Sequence, residues 1–236
     1  MARRLPWMIV TAILFGVLSG TPALADHSWN GYRWSGDGRP LRITYVDSLT
    51  RGFRRQHVAG AVLDDWETDD VVGLDRDRSE NSRSIRKKCP PVTGAIRICN
   101  ADYGEGWFGQ TELLVEGVTV TGGRIRINDY WGTGASFRRF VLCHEVGHSL
   151  GLWHRTDGSS CLNGGRHPDK HDLAMVRELL TTASGQEVEN AQPPECADGV
   201  LCVVNALAEH NGHTDDNEHA HSQSLTPLSW HLLLPF

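Results

Sequence analysis

Three imidazoles, one carboxylate and two glycines stand within the eleven residues HEVGHSLGLWH, from His144 to His154. On a helix, His144 and His148 lie four residues apart, so their side chains share one face within reach of a single metal ion. Glu145 sits beside the first histidine, where it can approach a metal-bound water without ligating the metal. Gly151 lets the chain leave the helix through a backbone conformation that other residues resist, which brings His154 round as a third ligand. Three protein ligands leave a fourth position for water, the open coordination of a catalytic zinc site; structural sites are usually closed by four ligands, often with cysteine. Zinc brings the pKa of such a water towards neutrality, and Glu145 is placed to take the proton as general base. A lone histidine, or a pair at i,i+4, is more often a surface or core residue. The five-position match HExxHxxGxxH arises by chance in roughly one chain of this length in ten thousand, so the metal reading prevails.

The elements that must position these residues begin after residue 25. Arg3 and Arg4 form a short basic region, Trp7 to Leu18 is an apolar run short for a bilayer span, and Ala23-Leu24-Ala25 is a small-x-small cleavage pattern. Residues 1–25 therefore read as a secretory signal peptide, with a mature chain starting near Asp26 and no stable membrane insertion after cleavage. Removing the two signal arginines from the 23 basic residues leaves 21 against 29 acidic ones, a soluble and acidic chain poorly suited to nucleic acid. All six cysteines fall in the mature part, which in an exported protein implies three disulfides. Six cysteines permit fifteen pairings; proximity along the chain favours Cys89–Cys99, Cys143–Cys161 and Cys196–Cys202.

Residues 40–46 alternate Leu41, Ile43 and Tyr45 with polar neighbours, the pattern of a half-buried strand. Val58, Ala59, Val62, Leu63 and Trp66 have helical spacing within residues 54–68, and 71–74 is a short second strand. Arg76 to Lys88 carries six basic residues and reads as a solvated loop. Asp64, Asp65, Glu67, Asp69 and Asp70 could hold calcium, but they lack the EF-hand spacing, and a charged helix end is the default. Residues 95–99 form another strand, and Asn100 to Gly109 is a turn region rich in glycine and aromatics. Glu112 to Val120 and Arg124 to Asn128 are β-rich runs joined at Thr121-Gly-Gly123, a hairpin-like signal. Ser136 can cap a helix that runs through the histidine motif to about Leu150, and Asp169 to Thr182 gives another. Residues 184–236 are a C-terminal extension: a polar, proline-bearing linker at 185–194, the short apolar run 200–208, a tail with four histidines and four acids at 209–221, and the apolar end LSWHLLLPF.

HEVGHSLGLWH resembles the metzincin signature, and the flanking residues look like matrixin-type members of that clan, most of all secreted bacterial ones. The resemblance runs through Tyr103-Gly104, Trp107-Phe-Gly109, Gly123 to Asn128, Phe140 to His144 and His167 to Asp172, and so covers roughly residues 40–183. It implies an α+β catalytic domain over residues 26–183, with a twisted mixed sheet, two main helices and a zinc cleft floored by the HExxH helix. It further implies one catalytic zinc on His144, His148 and His154, Glu145 as catalytic base, and an edge strand that pairs with extended polypeptide substrate. Glu112 to Val120 is the candidate for that strand. Metzincins carry a methionine in a tight turn beneath the zinc, and at that position, eight residues past His154, this chain has Leu162. Met175 is no substitute, since it falls inside the following helix. Leucine is close to methionine in volume, so the zinc floor is expected to survive. Many matrixins also block their zinc with a propeptide cysteine, but the residues between the cleavage site and the first strand contain no cysteine. The expected function is a secreted zinc endopeptidase; the rivals are a secreted metal-binding protein with reduced or lost catalysis, and a hydrolase of non-peptide amides.

Overall fold

The computed structural model describes residues 27–36, 40–55, 58–68, 70–131, 134–182 and 202–209, with backbone alone for 54, 55, 58 and 202–209. In chain order the elements are β1 (Arg33–Trp34), β2 (Leu41–Ser48), α1 (Arg51–Arg55), α2 (Val58–Trp66), β3 (Val72–Ser79), α3 (Arg83–Lys88), β4 (Val92–Thr93), β5 (Ala95–Ala101), β6 (Trp107–Glu116), β7 (Thr119–Asn128), α4 (Ala135–Ser149), α5 (Lys170–Thr182) and β8 (Cys202–Glu209). The strands form one mixed sheet in the order β3-β2-β5-β7-β6-β8, with β1 and β4 also paired to β7. β2, β3, β5 and β7 run parallel to their neighbours in that series, whereas β6 is antiparallel to both β7 and β8. A mixed sheet with helices was expected, and that much is found.

The apolar periodicities are satisfied in one core. Leu41, Ile43 and Tyr45 of β2 are buried, as are Ala59, Val62, Leu63 and Trp66 on the inner stripe of α2. α4 lies across the sheet beside α2, and its buried run from Val141 to Ser149 includes His144, Glu145 and His148. Two contacts fix its C-terminal end. The Trp34 indole N–H donates to the Ser149 carbonyl (2.8 Å), taking up an acceptor that a helix end leaves open, and the Ser149 hydroxyl bonds the Tyr45 hydroxyl (2.7 Å). No helix among the described residues is long and apolar enough to cross a membrane.

Several expectations are corrected. The helix expected over 54–68 is two, α1 and α2. The basic stretch 76–88 is not a loop throughout: β3 runs on to Ser79 as the charged outer strand, and Ser82 accepts from the Ile85 N–H to start α3. The hairpin turns at Gly117-Val118 instead of 121–123. Gly122 and Gly123 instead lie inside β7, where a β-carbon on either would overlap a carbonyl oxygen, of Val92 or of Glu112. α4 begins at Ala135 with Gly134 at its cap, so Ser136 does not cap it. The expected substrate edge, 112–120, is not one strand: it spans the turn, and β6 is flanked on its outer side by β8. Three of the calcium candidates are used otherwise, Asp65 with Arg139 and His167, Asp70 with Arg177, and Glu67 as acceptor for the Leu74 N–H. The signal peptide, Asp69, the linker, Cys196 with its proposed bond to Cys202, the histidine-rich tail and LSWHLLLPF lie outside the described residues.

Candidate metal centre

α4 presents His144 and His148 on consecutive turns, and the chain after it returns His154 to the same point. The three Nε2 atoms lie 2.9, 3.1 and 3.2 Å from one another. Three nitrogens bound about 2.0–2.1 Å from a tetrahedral zinc would be spaced by ~3.3 Å, so the cluster matches one ion. Two of the other ring nitrogens are engaged: His144 Nδ1 on the Cys161 carbonyl (2.9 Å) and His148 Nδ1 on the Leu152 carbonyl (2.8 Å). A carbonyl can only accept, so each Nδ1 carries the proton and each Nε2 is left with a bare lone pair. Bare lone pairs cannot hydrogen-bond one another; converging on one point, they fit a cation. Burial pushes His144 down to about 4, and burial with the His144 charge pushes His154 down to about 3. Burial, with repulsion from the other two rings, holds His148 well below the ordinary range. All three are therefore neutral at pH 7, the state that ligates.

The turn that returns His154 depends on Gly151, whose φ is +94° and whose β-carbon would overlap the Tyr32 carbonyl oxygen. Arg155, next along, is held by Asp169 Oδ2 (2.8 Å) and Asp172 Oδ1 (3.1 Å) at the start of α5. Those two carboxylates also cap each other's backbone: Asp169 Oδ1 accepts from the Asp172 N–H, and Asp172 Oδ2 from the Asp169 N–H. The N-terminus of α5 thereby anchors the residue beside His154.

Glu145 is fully buried. The Thr111 hydroxyl on β6 reaches both its Oε2 (2.6 Å) and its carbonyl oxygen (2.9 Å), while Oε1 has no hydrogen-bond partner among the described residues. Burial pushes the carboxyl up to about 8, against the lowering effect of the Thr111 hydrogen bond. A dication on the adjacent nitrogens would draw it down again.

Leu162 lies in the short 3-10 turn Cys161–Asn163, 2% exposed. A β-carbon on Gly147, between the two helical histidines, would meet Leu162 Cδ2 at 2.9 Å, so the leucine packs directly beneath the motif. Cys143 and Cys161 form a disulfide that joins the start of the motif to this turn; Cys89 and Cys99 form a second.

Sequence reasoning missed Thr111, Gly109 and the segment 27–34. The last of these runs under the 151–153 turn, with the Trp29 N–H on the Gly151 carbonyl (2.7 Å) and the Trp153 N–H on the His27 carbonyl (2.6 Å). Each imidazole packs on an aromatic ring: Phe140 on His144, Trp29 on His148 and Trp153 on His154, with centroids 5.9, 5.8 and 4.7 Å apart. The tryptophans of HSWNGYRW were the available signal, but aromatic residues alone do not say what they pack against.

No protein-family model matches the chain, and no curated protein matches it. Among solved structures, archaemetzincin from Archaeoglobus fulgidus, complexed with malonate, is similar over 60% of this chain and 99% of its own, at 17% identity and a TM-score of 0.33. So distant a likeness decides neither fold nor function, and the functional reading rests on the geometry of the site.

Proposed function

We propose that the chain is an exported zinc endopeptidase of metzincin type, with His144, His148 and His154 holding one zinc and Glu145 as catalytic base. The observation that carries this is the convergence of three Nε2 atoms, those of His144 and His148 left bare by the carbonyls on their Nδ1 atoms, beside a buried carboxylate with one unpartnered oxygen. Zinc held there supplies a Lewis acid that polarises a substrate carbonyl and acidifies water. Glu145 accepts the proton of the attacking water and returns it to the departing amine. Thr111 holds Oε2 and so leaves Oε1 for that exchange. The carbonyls of Cys161 and Leu152 keep His144 and His148 in the ligating tautomer.

A protein that merely held metal would have no use for Glu145, and a buried oxygen without a partner is costly to keep. That weighs against the binding-only reading, and the two disulfides are in keeping with an exported chain. Purified chain should hold one zinc and cleave casein, and a chelator should stop the cleavage. Glu145→Gln should keep the zinc and lose at least 100-fold in rate. Equal cleavage by the two chains would remove Glu145 from its role, and no cleavage by zinc-loaded wild type would favour the metal-binding protein.

A further inference from the structure

β6 is the strand that meets Glu145. Thr111 bonds the carboxylate, and Gly109 stands so close that a β-carbon would overlap Oε1. Whatever pairs with the outer edge of β6 therefore runs past the candidate base. In this chain that place belongs to β8. The pairing is antiparallel, with Ala208 opposite Gly109, Ala206 opposite Thr111 and Cys202 opposite Val115, and one irregularity between Trp107 and Gly109. β8 also comes within 8 Å of α4, Cα to Cα.

A strand edge has one row of N–H and C=O groups on its open side, and an added strand uses them whatever its side chains. β8 and an extended polypeptide therefore cannot occupy the β6 edge together. β8 belongs to the same chain as β6, so once displaced it competes as a tethered strand and not as a free peptide. Resting on the peptidase reading, we propose that Cys202–Glu209 is a built-in competitor: it lies where extended substrate lies, and cleavage requires its displacement.

The test uses the full chain. Asn205→Pro with Ala206→Pro removes two adjacent N–H groups, of which one must point at β6. Zinc content and Tm confirm that the variant is folded. The KM for casein should fall at least tenfold with kcat unchanged, and the synthetic peptide Ser-Val-Val-Asn-Ala-Leu-Ala-Glu, residues 202–209 with serine for Cys202, should inhibit the variant competitively. An unchanged KM, or inhibition that is not competitive, would overturn the proposal. A second measurement needs neither turnover nor proline. In zinc-loaded Glu145→Gln, saturating casein should speed amide exchange in 203–209 at least tenfold. Unaltered exchange, while wild type cleaves casein, defeats the competitor and leaves the peptidase standing. Faster exchange, with no cleavage by zinc-loaded wild type or proline variant, defeats the peptidase and leaves the competition for β6.

Discussion

Gly109 on β6 and Glu145 on α4 touch so closely that only a glycine fits: a β-carbon would overlap Oε1 and stand 2.8 Å from Glu145 Cγ and 2.7 Å from Val141 Cγ1. Gly109→Ala must therefore push the carboxylate aside, while the three histidines keep their own supports. A misplacement of about 1 Å at a reacting group costs on the order of 100-fold in rate. The expected result is that loss in kcat at full zinc occupancy, read from steady-state kinetics beside metal analysis. Loss of zinc in step with activity would show that Gly109 supports the whole site.

Cys161 is tied to α4 twice, by its sulfur to Cys143 and by its carbonyl to His144 Nδ1. Replacing both cysteines with serine should cost about 3 kcal/mol of stability, the amount expected for closing a loop of this length. It should also weaken zinc binding about tenfold, because the carbonyl that orients His144 loses its anchor. Urea unfolding and zinc titration against a fluorescent chelator give the two values; unchanged affinity would mean that packing alone orients the ring.

Leu162 fills the space beneath Gly147. Leu162→Met conserves volume and should change stability by less than about 1.5 kcal/mol, with zinc retained. Leu162→Ala should cost about 2–5 kcal/mol, because it opens a cavity in a buried turn. Thermal unfolding of the zinc-loaded proteins separates them, and equal stability would place the turn outside the packed core.

Asp172 is fully buried between His27, Ser160 and Arg155. Burial pushes its carboxyl up, but hydrogen bonds from His27, Ser160, the Asp169 N–H and Arg155 together outweigh that and hold it below the ordinary range. The unfolded chain then takes up the proton first as pH falls. Asp172 thus contributes stability that is fully present above about pH 4 and fades below it, through the folded value. Asp172→Asn should cost about 2 kcal/mol at pH 7 and flatten the acid limb of the stability profile, measured by urea unfolding across pH. Parallel wild-type and variant profiles below about pH 4 would remove Asp172 from that limb.

The convergence of the three histidines beside Glu145 was legible in the sequence, because their relation is local. A helix places residues four apart on one face whatever surrounds it, and a glycine three residues on permits the return. The buried faces of β2 and α2 were legible for the same reason, as were the two short-range disulfides. Tertiary structure decided what holds those groups in place. Thr111 and Gly109 meet Glu145 across 34 and 36 residues, the Cys161 carbonyl fixes the His144 tautomer, and the segment 27–34 braces the turn to His154. It also decided which chain lies beside β6. Local periodicity marks Glu112 to Glu116 as strand, but strand pairing depends on which distant backbone reaches the edge. The sequence of 202–209 carries no periodic mark of a partner 87 to 102 residues upstream, and only the register of β8 on β6 brings it beside the strand that meets Glu145.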